Sequence, residues 1–363
     1  MRIIALIYLL LTVFRGLCQN PQADHIFLIT MDGFRWQELF TGADSLLIDD
    51  SGYTDNPEEL TGKYWAVRPE KRRALLMPFV WNEIVKNGQV YGNRKYGTKV
   101  NCSNTMWFSY PGYSEILCGF ADDEHIDSNK KIPNINTSVL EFLNKQPKLK
   151  GKVVAFASWD VFPYIINEQR SGVPVNAGIE KVNGDDLSKK EILLNALQKE
   201  IKSPWKGVRP DALTYHIAME YVRRNKPSVV YLAFDETDDF AHDGSYDKYL
   251  DAAGKTDEYL RKIWQFIQST PYYKDRTAML ITTDHGRGSH PKDKWRSHGA
   301  DVNGADEIWL MALGPGIAPL GEVKENIQLY QNQLAKTVAA LLGYKFKSNR
   351  QAGEVIRQIV VEK

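Results

Sequence analysis

Five short, almost unbroken runs of aliphatic and aromatic residues, at 25–31, 152–157, 228–234, 278–283 and 308–313, constrain this chain more than any other feature. Runs without polar alternation suit strands buried on both faces. Helical patterns at 75–85, 139–143, 212–224, 246–269 and 331–342 are interleaved with them. That alternation predicts an α/β fold: a doubly wound, mostly parallel sheet with helices on both faces and right-handed crossovers. No repeat, low-complexity tract or Pro/Ser linker interrupts 24–363, so a single domain with surface insertions is expected. The interval 42–73, rich in Asp, Gly, Pro and Tyr, reads as a long surface excursion.

Charge and cysteine content narrow the function classes. Lys plus Arg number 46 against 45 Asp plus Glu, so no global field favours duplex nucleic acid or an anionic membrane. An anionic substrate must be held by a local cluster. Met1-Arg2 followed by the apolar run 3–14 has the form of a signal peptide over 1–18, leaving 19–363 as the mature domain. The run is too short to span a bilayer, so no transmembrane segment is expected after its removal. A competing reading lipidates Cys18, with bulky Leu17 standing against it. On either reading the mature protein is exported, secreted or periplasmic. Cys102 and Cys118 remain, and a disulfide or two buried thiols fit equally well. Asn101-Cys102-Ser103 and Asn136-Thr137-Ser138 are glycosylation sequons, relevant in a eukaryotic secretory host.

The ends of the apolar runs carry the chemistry. The run at 278–283 stops at Asp284-His285-Gly286, and the run at 25–31 stops at Asp32-Gly33. Open α/β sheets place their sites just beyond such carboxyl ends. After Phe234 come Asp238 and His242, four residues apart and able to share one face of a helical turn. His298 follows in Arg296-Ser297-His298-Gly299. Singly, each has a plain alternative: a hydrogen-bonded turn for Asp284-His285, a surface ion pair for Asp238 and His242. Together they are three Asp and three His arriving from separate strand ends, a number that suits two metal ions. Ser109, ahead of Pro111-Gly112 and a helix expected to start near Tyr113, is the candidate nucleophile; a helix cap is its plain reading.

These motifs, in this order, resemble the alkaline phosphatase superfamily, and within it the nucleotide pyrophosphatase/phosphodiesterases and related bacterial phosphatases. The resemblance runs from about 24 to 343 and includes Gly314-Pro315-Gly316-Ile317. It implies that Asp238, His242 and His298 hold one zinc, and that Asp32, Ser109, Asp284 and His285 hold the other, with manganese possible in their place. It further implies an exported phosphoesterase acting on a small phosphate ester through a phosphoseryl intermediate. An Asn about twenty residues after the nucleophile donates to the phosphoryl oxygen in that branch; Asn129 matches with the spacing off by about one, and Lys130 is the substitute.

Departures from the pattern bear on substrate. Ser109 stands where that branch usually has threonine, and Gly112-Tyr113 where it has Asn-His. No Arg follows Pro111 at the sulfatase spacing, which disfavours sulfate esters. The interval from Ser109 to Asp238 is too short for the extra domain of cofactor-independent phosphoglycerate mutases. A phosphodiesterase is therefore expected first, then a phosphomonoesterase, a mutase-like phosphotransferase, and a non-catalytic exported metal-binding protein. Arg287, Lys292, Lys294 and Arg296 supply either a local positive field or a solvated loop. Trp36, Trp65, Trp107, Trp159 and Phe162 are divided between stacking on substrate and ordinary core.

Overall fold

The computed structural model describes residues 22–360. The expected signal peptide at 1–18, Cys18 and the boundary at residue 19 lie outside them. Eleven strands occur among the described residues: β1 His25–Met31, β2 Gly88–Tyr91, β3 Lys99–Asn101, β4 Val153–Ala157, β5 Val175–Ala177, β6 Val229–Phe234, β7 Thr277–Thr282, β8 Glu307–Ile308, β9 Leu310–Leu313, β10 Gly321–Glu322 and β11 Gln328–Tyr330. Eight form one sheet in the order β10-β2-β9-β7-β1-β6-β4-β5; β11, β3 and β8 form a small second sheet. In the large sheet β9 runs antiparallel to both neighbours, β2 and β7, and the remaining pairings are parallel.

β1 lies at the centre, with all seven residues buried. Ile26 and Leu28 project into one hydrophobic core, Phe27, Ile29 and Met31 into the other, so helices must cover both faces. Each such side chain contributes about 1.5–3 kcal/mol on burial, which is why a run without polar alternation selects the middle of the sheet. Register aligns the strand ends: Met31 pairs with Phe234, and Thr30 with Thr282. The three central strands therefore deliver their next residues to one edge.

The expected α/β architecture is present, and its exceptions have physical causes. The run at 308–313 is split, with Ile308 in the small sheet, Leu310–Leu313 in the large one and Trp309 buried between them. The helix expected over 75–85 is broken: one helix ends at Leu76, and after Pro78, which can donate no backbone bond, a π-helical turn covers Val80–Ile84. The excursion at 42–73 is no open loop. It folds into short helices Ser45–Ile48, Pro57–Tyr64 and Pro69–Leu76; the side chains of Asp44 and Asn56 cap the first two, and Leu47, Ile48, Leu60 and Tyr64 are buried. No helix among the described residues is long and apolar enough to cross a membrane.

Candidate metal centre

Asp32 follows β1, Asp284 and His285 follow β7, and Asp238 and His242 lie on the helix Glu236–Asp243 that follows β6. His298 arrives from the loop beyond β7. The structure brings all six together. His285 Nε2 lies 3.3 Å from Asp32 Oδ1, 3.5 Å from Asp284 Oδ2 and 3.7 Å from Asp238 Oδ1. Asp238 Oδ1 is also 3.6 Å from His298 Nε2, while Asp238 Oδ2 is 3.1 Å from His242 Nε2, itself 2.9 Å from His298 Nε2. Asp32, Asp284 and His285 make one candidate ligand group and Asp238, His285 and His298 a second, with His242 reached through Asp238 Oδ2 and His298 Nε2.

Hydrogen bonding assigns the tautomers. His285 Nδ1 faces the Gly286 carbonyl at 2.9 Å and His298 Nδ1 faces the Trp107 carbonyl at 3.2 Å. A carbonyl only accepts, so each Nδ1 carries the proton and each Nε2 keeps its lone pair for the centre. Asp32 Oδ1, Asp284 Oδ2 and His285 Nε2 are buried without a hydrogen-bond partner. Three orphaned acceptors facing one another form a donor set that fits a dication and lacks its charge balance without one.

Electrostatics agree with that fit. Burial, then the nearby Asp238 charge, pushes the Asp32 carboxyl well above the ordinary carboxylate range; burial, then Asp32, does the same to Asp284. Burial opposes ionisation of Asp238 too, yet Arg287 first and His242 after it hold it well below that range. Burial and His285 depress the His298 imidazole, keeping it neutral as a ligand must be.

Arg287, for which the sequence left a local positive field and a solvated loop both open, is held against the candidate ligand Asp238. It is fully buried: its Nη2 contacts Asp238 Oδ1 and donates to the Asp238 carbonyl at 3.1 Å, its Nε donates to Gly33 O at 3.1 Å and its Nη1 to Arg296 O at 2.6 Å. Its position directly after Asp284-His285-Gly286 was the available signal. Gly33 is equally bound to the centre. Its φ of +55° suits glycine, and a Cβ there would lie 2.7 Å from Asp238 Oδ1.

The helix expected to begin near Tyr113 begins at Ser109 and runs to Cys118, passing straight through Pro111-Gly112. Pro111 falls in the first turn, where a missing N–H costs no helical bond. This helix docks on the ligands: Tyr113 Oη donates to Asp32 Oδ2 at 2.9 Å, and a Cβ on Gly112 would sit 2.3 Å from the Asp284 carbonyl oxygen. Ser109 is the first residue of this docked helix. Asn129 Oδ1 accepts from Tyr110 N, the residue after Ser109, at 3.0 Å; Lys130 is exposed on the same segment. Gln331, not foreseen, donates from Nε2 to the Asp284 carbonyl at 2.7 Å and so supports the same turn.

Other open readings resolve here. Cys102 and Cys118 are buried free thiols, and Cys102 Sγ donates to the Asp284 carbonyl at 3.4 Å. Phe162 is core, its ring 4.7 Å from that of Tyr113, whereas Trp36, Trp65, Trp107 and Trp159 are partly exposed. Lys292 contacts Asp50, and Arg296 donates to the His242 carbonyl at 2.9 Å.

No family model and no curated protein matches the sequence. Solved structures do match. Alkaline phosphatase PafA aligns with a TM-score of 0.63 at 12% identity, covering 94% of this chain and 99% of that one. A phosphonate monoester hydrolase from Silicibacter pomeroyi aligns at 0.56 with 12% identity, covering 92% and 76%. The lipoteichoic acid synthase LtaP from Listeria monocytogenes aligns at 0.52 with 13% identity, covering 90% and 73%. The chain has the fold of the alkaline phosphatase superfamily.

Proposed function

We propose that this chain is an exported phosphoesterase that binds two zinc ions and hydrolyses small phosphodiesters in two steps through a phosphoseryl intermediate. The observation that carries the reading is the set of partnerless buried atoms, Asp32 Oδ1, Asp284 Oδ2 and His285 Nε2, against which the Ser109 helix is docked. Structural counterparts named as a phosphatase and a phosphonate monoester hydrolase support hydrolase chemistry at a coarser level.

Asp32, Ser109, Asp284 and His285 would hold one ion, and Asp238, His242 and His298 the other; manganese suits the same oxygen and nitrogen donors. When bound, the ions supply Lewis acidity to the attacking and leaving oxygens. The protein's own groups do the rest. Ser109 Oγ forms the bond to phosphorus as the bond to the leaving alkoxide breaks, and water then displaces the serine. The positive end of the Ser109–Cys118 helix favours the phosphoryl oxygens there. Asn129 spends its Oδ1 on Tyr110 N and so turns its Nδ2 outwards as a donor to the same group.

Charge supports a diester over a monoester. Arg287 is committed to Asp238, Lys292 to Asp50, Arg296 to the His242 carbonyl and Lys131 to Asp160. A dianionic monoester gains no clamp from these four cations, whereas a monoanionic diester needs none. The test is metal content together with rates on bis-nitrophenyl phosphate and nitrophenyl phosphate. Two zincs per chain and faster diester cleavage are expected, with Ser109→Ala keeping the zincs and losing at least about 10³-fold in kcat. Faster monoester cleavage would favour a phosphomonoesterase, and unchanged turnover in the alanine variant would remove Ser109 from its role.

A further inference from the structure

The loop 103–108 and its anchor on the helix, Glu115, remain unexplained by the chemistry above. Glu115, two turns into that helix, is fully buried with no cation against it. Its carboxylate accepts instead from Ser103 N at 2.8 and 3.0 Å, from Asn104 N at 2.8 Å and from Asn104 Nδ2 at 2.7 Å. Asn104 is thereby oriented without ambiguity, amide nitrogen to the carboxylate and Oδ1 forwards. That Oδ1 accepts from Met106 N at 3.2 Å and Trp107 N at 2.9 Å. Trp107 has a φ of +51°, a left-handed conformation that a bulky side chain adopts only under constraint. Its carbonyl is the acceptor for His298 Nδ1.

We infer that Glu115 and Asn104 are positioning residues: they hold Trp107 left-handed so that its carbonyl fixes the Nδ1–H tautomer of His298 and leaves Nε2 free for the centre. The same short loop leads through Phe108 into Ser109, so one anchor sets both the nucleophile's entry and an imidazole ligand more than 180 positions further along the chain. A carboxylate is required at 115 because three N–H groups converge there in four contacts, and only an anion accepts them all without offering a competing proton. The inference rests on the two-metal reading for its consequence but not for its first measurement.

That measurement is the ring nitrogen NMR signature of His298 in the metal-free chain. Wild type should hold one tautomer, protonated at Nδ1, and Asn104→Ala should give a mixture. Asn104→Ala is the gentler variant, since the backbone donors to Glu115 stay in place; Glu115→Gln, which sets an NH2 against those donors, should give the same mixture. In zinc titrations both variants should bind one ion as wild type does and the other ten- to a hundred-fold more weakly. A single Nδ1–H tautomer in both variants, or equal weakening of both ions, overturns the inference. If wild type shows the tautomer and the variants lose it, yet no chain binds two zincs, the positioning role stands and the two-metal reading fails.

Discussion

Arg287 sits where two different demands on one position meet. Its guanidinium reaches Asp238, Gly33 and the Arg296 carbonyl at once, so it both neutralises a ligand and ties three segments together. Removing one partner of a buried ion pair leaves the other charge uncompensated, at a cost of about 3–5 kcal/mol. Arg287→Ala should therefore destabilise the metal-free protein by roughly 3 kcal/mol in chemical denaturation. Arg287→Lys should recover only part of that loss, because an ammonium cannot span three acceptors in a plane. A change within a few tenths of a kcal/mol would mean that Asp238 is not ionised there. Its place directly after Asp284-His285-Gly286 set this arginine apart from Lys292 and Arg296, which lie on the same loop and do face solvent, but nothing local marked it as buried. Burial is decided by where a loop folds back, and a basic side chain carries no local sign of it.

At the scale of elements, the Ser109–Cys118 helix makes the tightest demand. Its third residue after Ser109 must lack a side chain, since any Cβ on Gly112 meets the Asp284 carbonyl. Gly112→Ala should push the helix away from the ligands, with an overpacking cost of about 1–3 kcal/mol and a larger fractional loss in kcat than in stability. Denaturation and turnover of the same preparation check both. The contrast between strands is instructive. β1, β6 and β7 were legible because every residue is buried and most are apolar, whereas β2, β3, β5, β10 and β11 have two to four residues and leave no periodicity to read. Pro111-Gly112 looked like a turn because that dipeptide usually is one; here the glycine serves close approach and the proline a first-turn position. The candidate ligands Asp32, Asp284 and His285, by contrast, follow apolar runs directly, so their place at the sheet edge could be read from the sequence.

For the whole molecule, ionisable groups buried away from the centre shape the pH response. Asp257, on the long helix Tyr246–Ser269, accepts from Phe79 N and Val80 N, and burial raises its carboxyl to about 7. A folded-state value above the unfolded one means that the native state binds the extra proton, so this group's contribution falls as pH rises from about 4 through 7. At about 1.4 kcal/mol per unit, Asp257→Asn should gain on wild type by roughly 2 kcal/mol between pH 5 and pH 8. Melting curves at the two pH values read that difference directly, and a pH-independent gap would show that the proton is not held there. Such couplings between the helical layers were invisible in the sequence, where Asp257 is one polar residue in an amphipathic pattern.

The register of β7, β1 and β6 has a last consequence. Neighbouring strands are spaced about 4.8 Å apart by their hydrogen bonds, and Asp32 and the Asp284-His285 pair begin one or two residues beyond aligned ends. The backbone of the sheet thus acts as a ruler whose graduations do not depend on the occupant of the site. Under the proposed two-ion reading, ions of different radius must be met by side-chain rotation alone, so loading the chain with zinc or with manganese should retune reactivity while leaving the interval between the ligand-bearing strands unaltered.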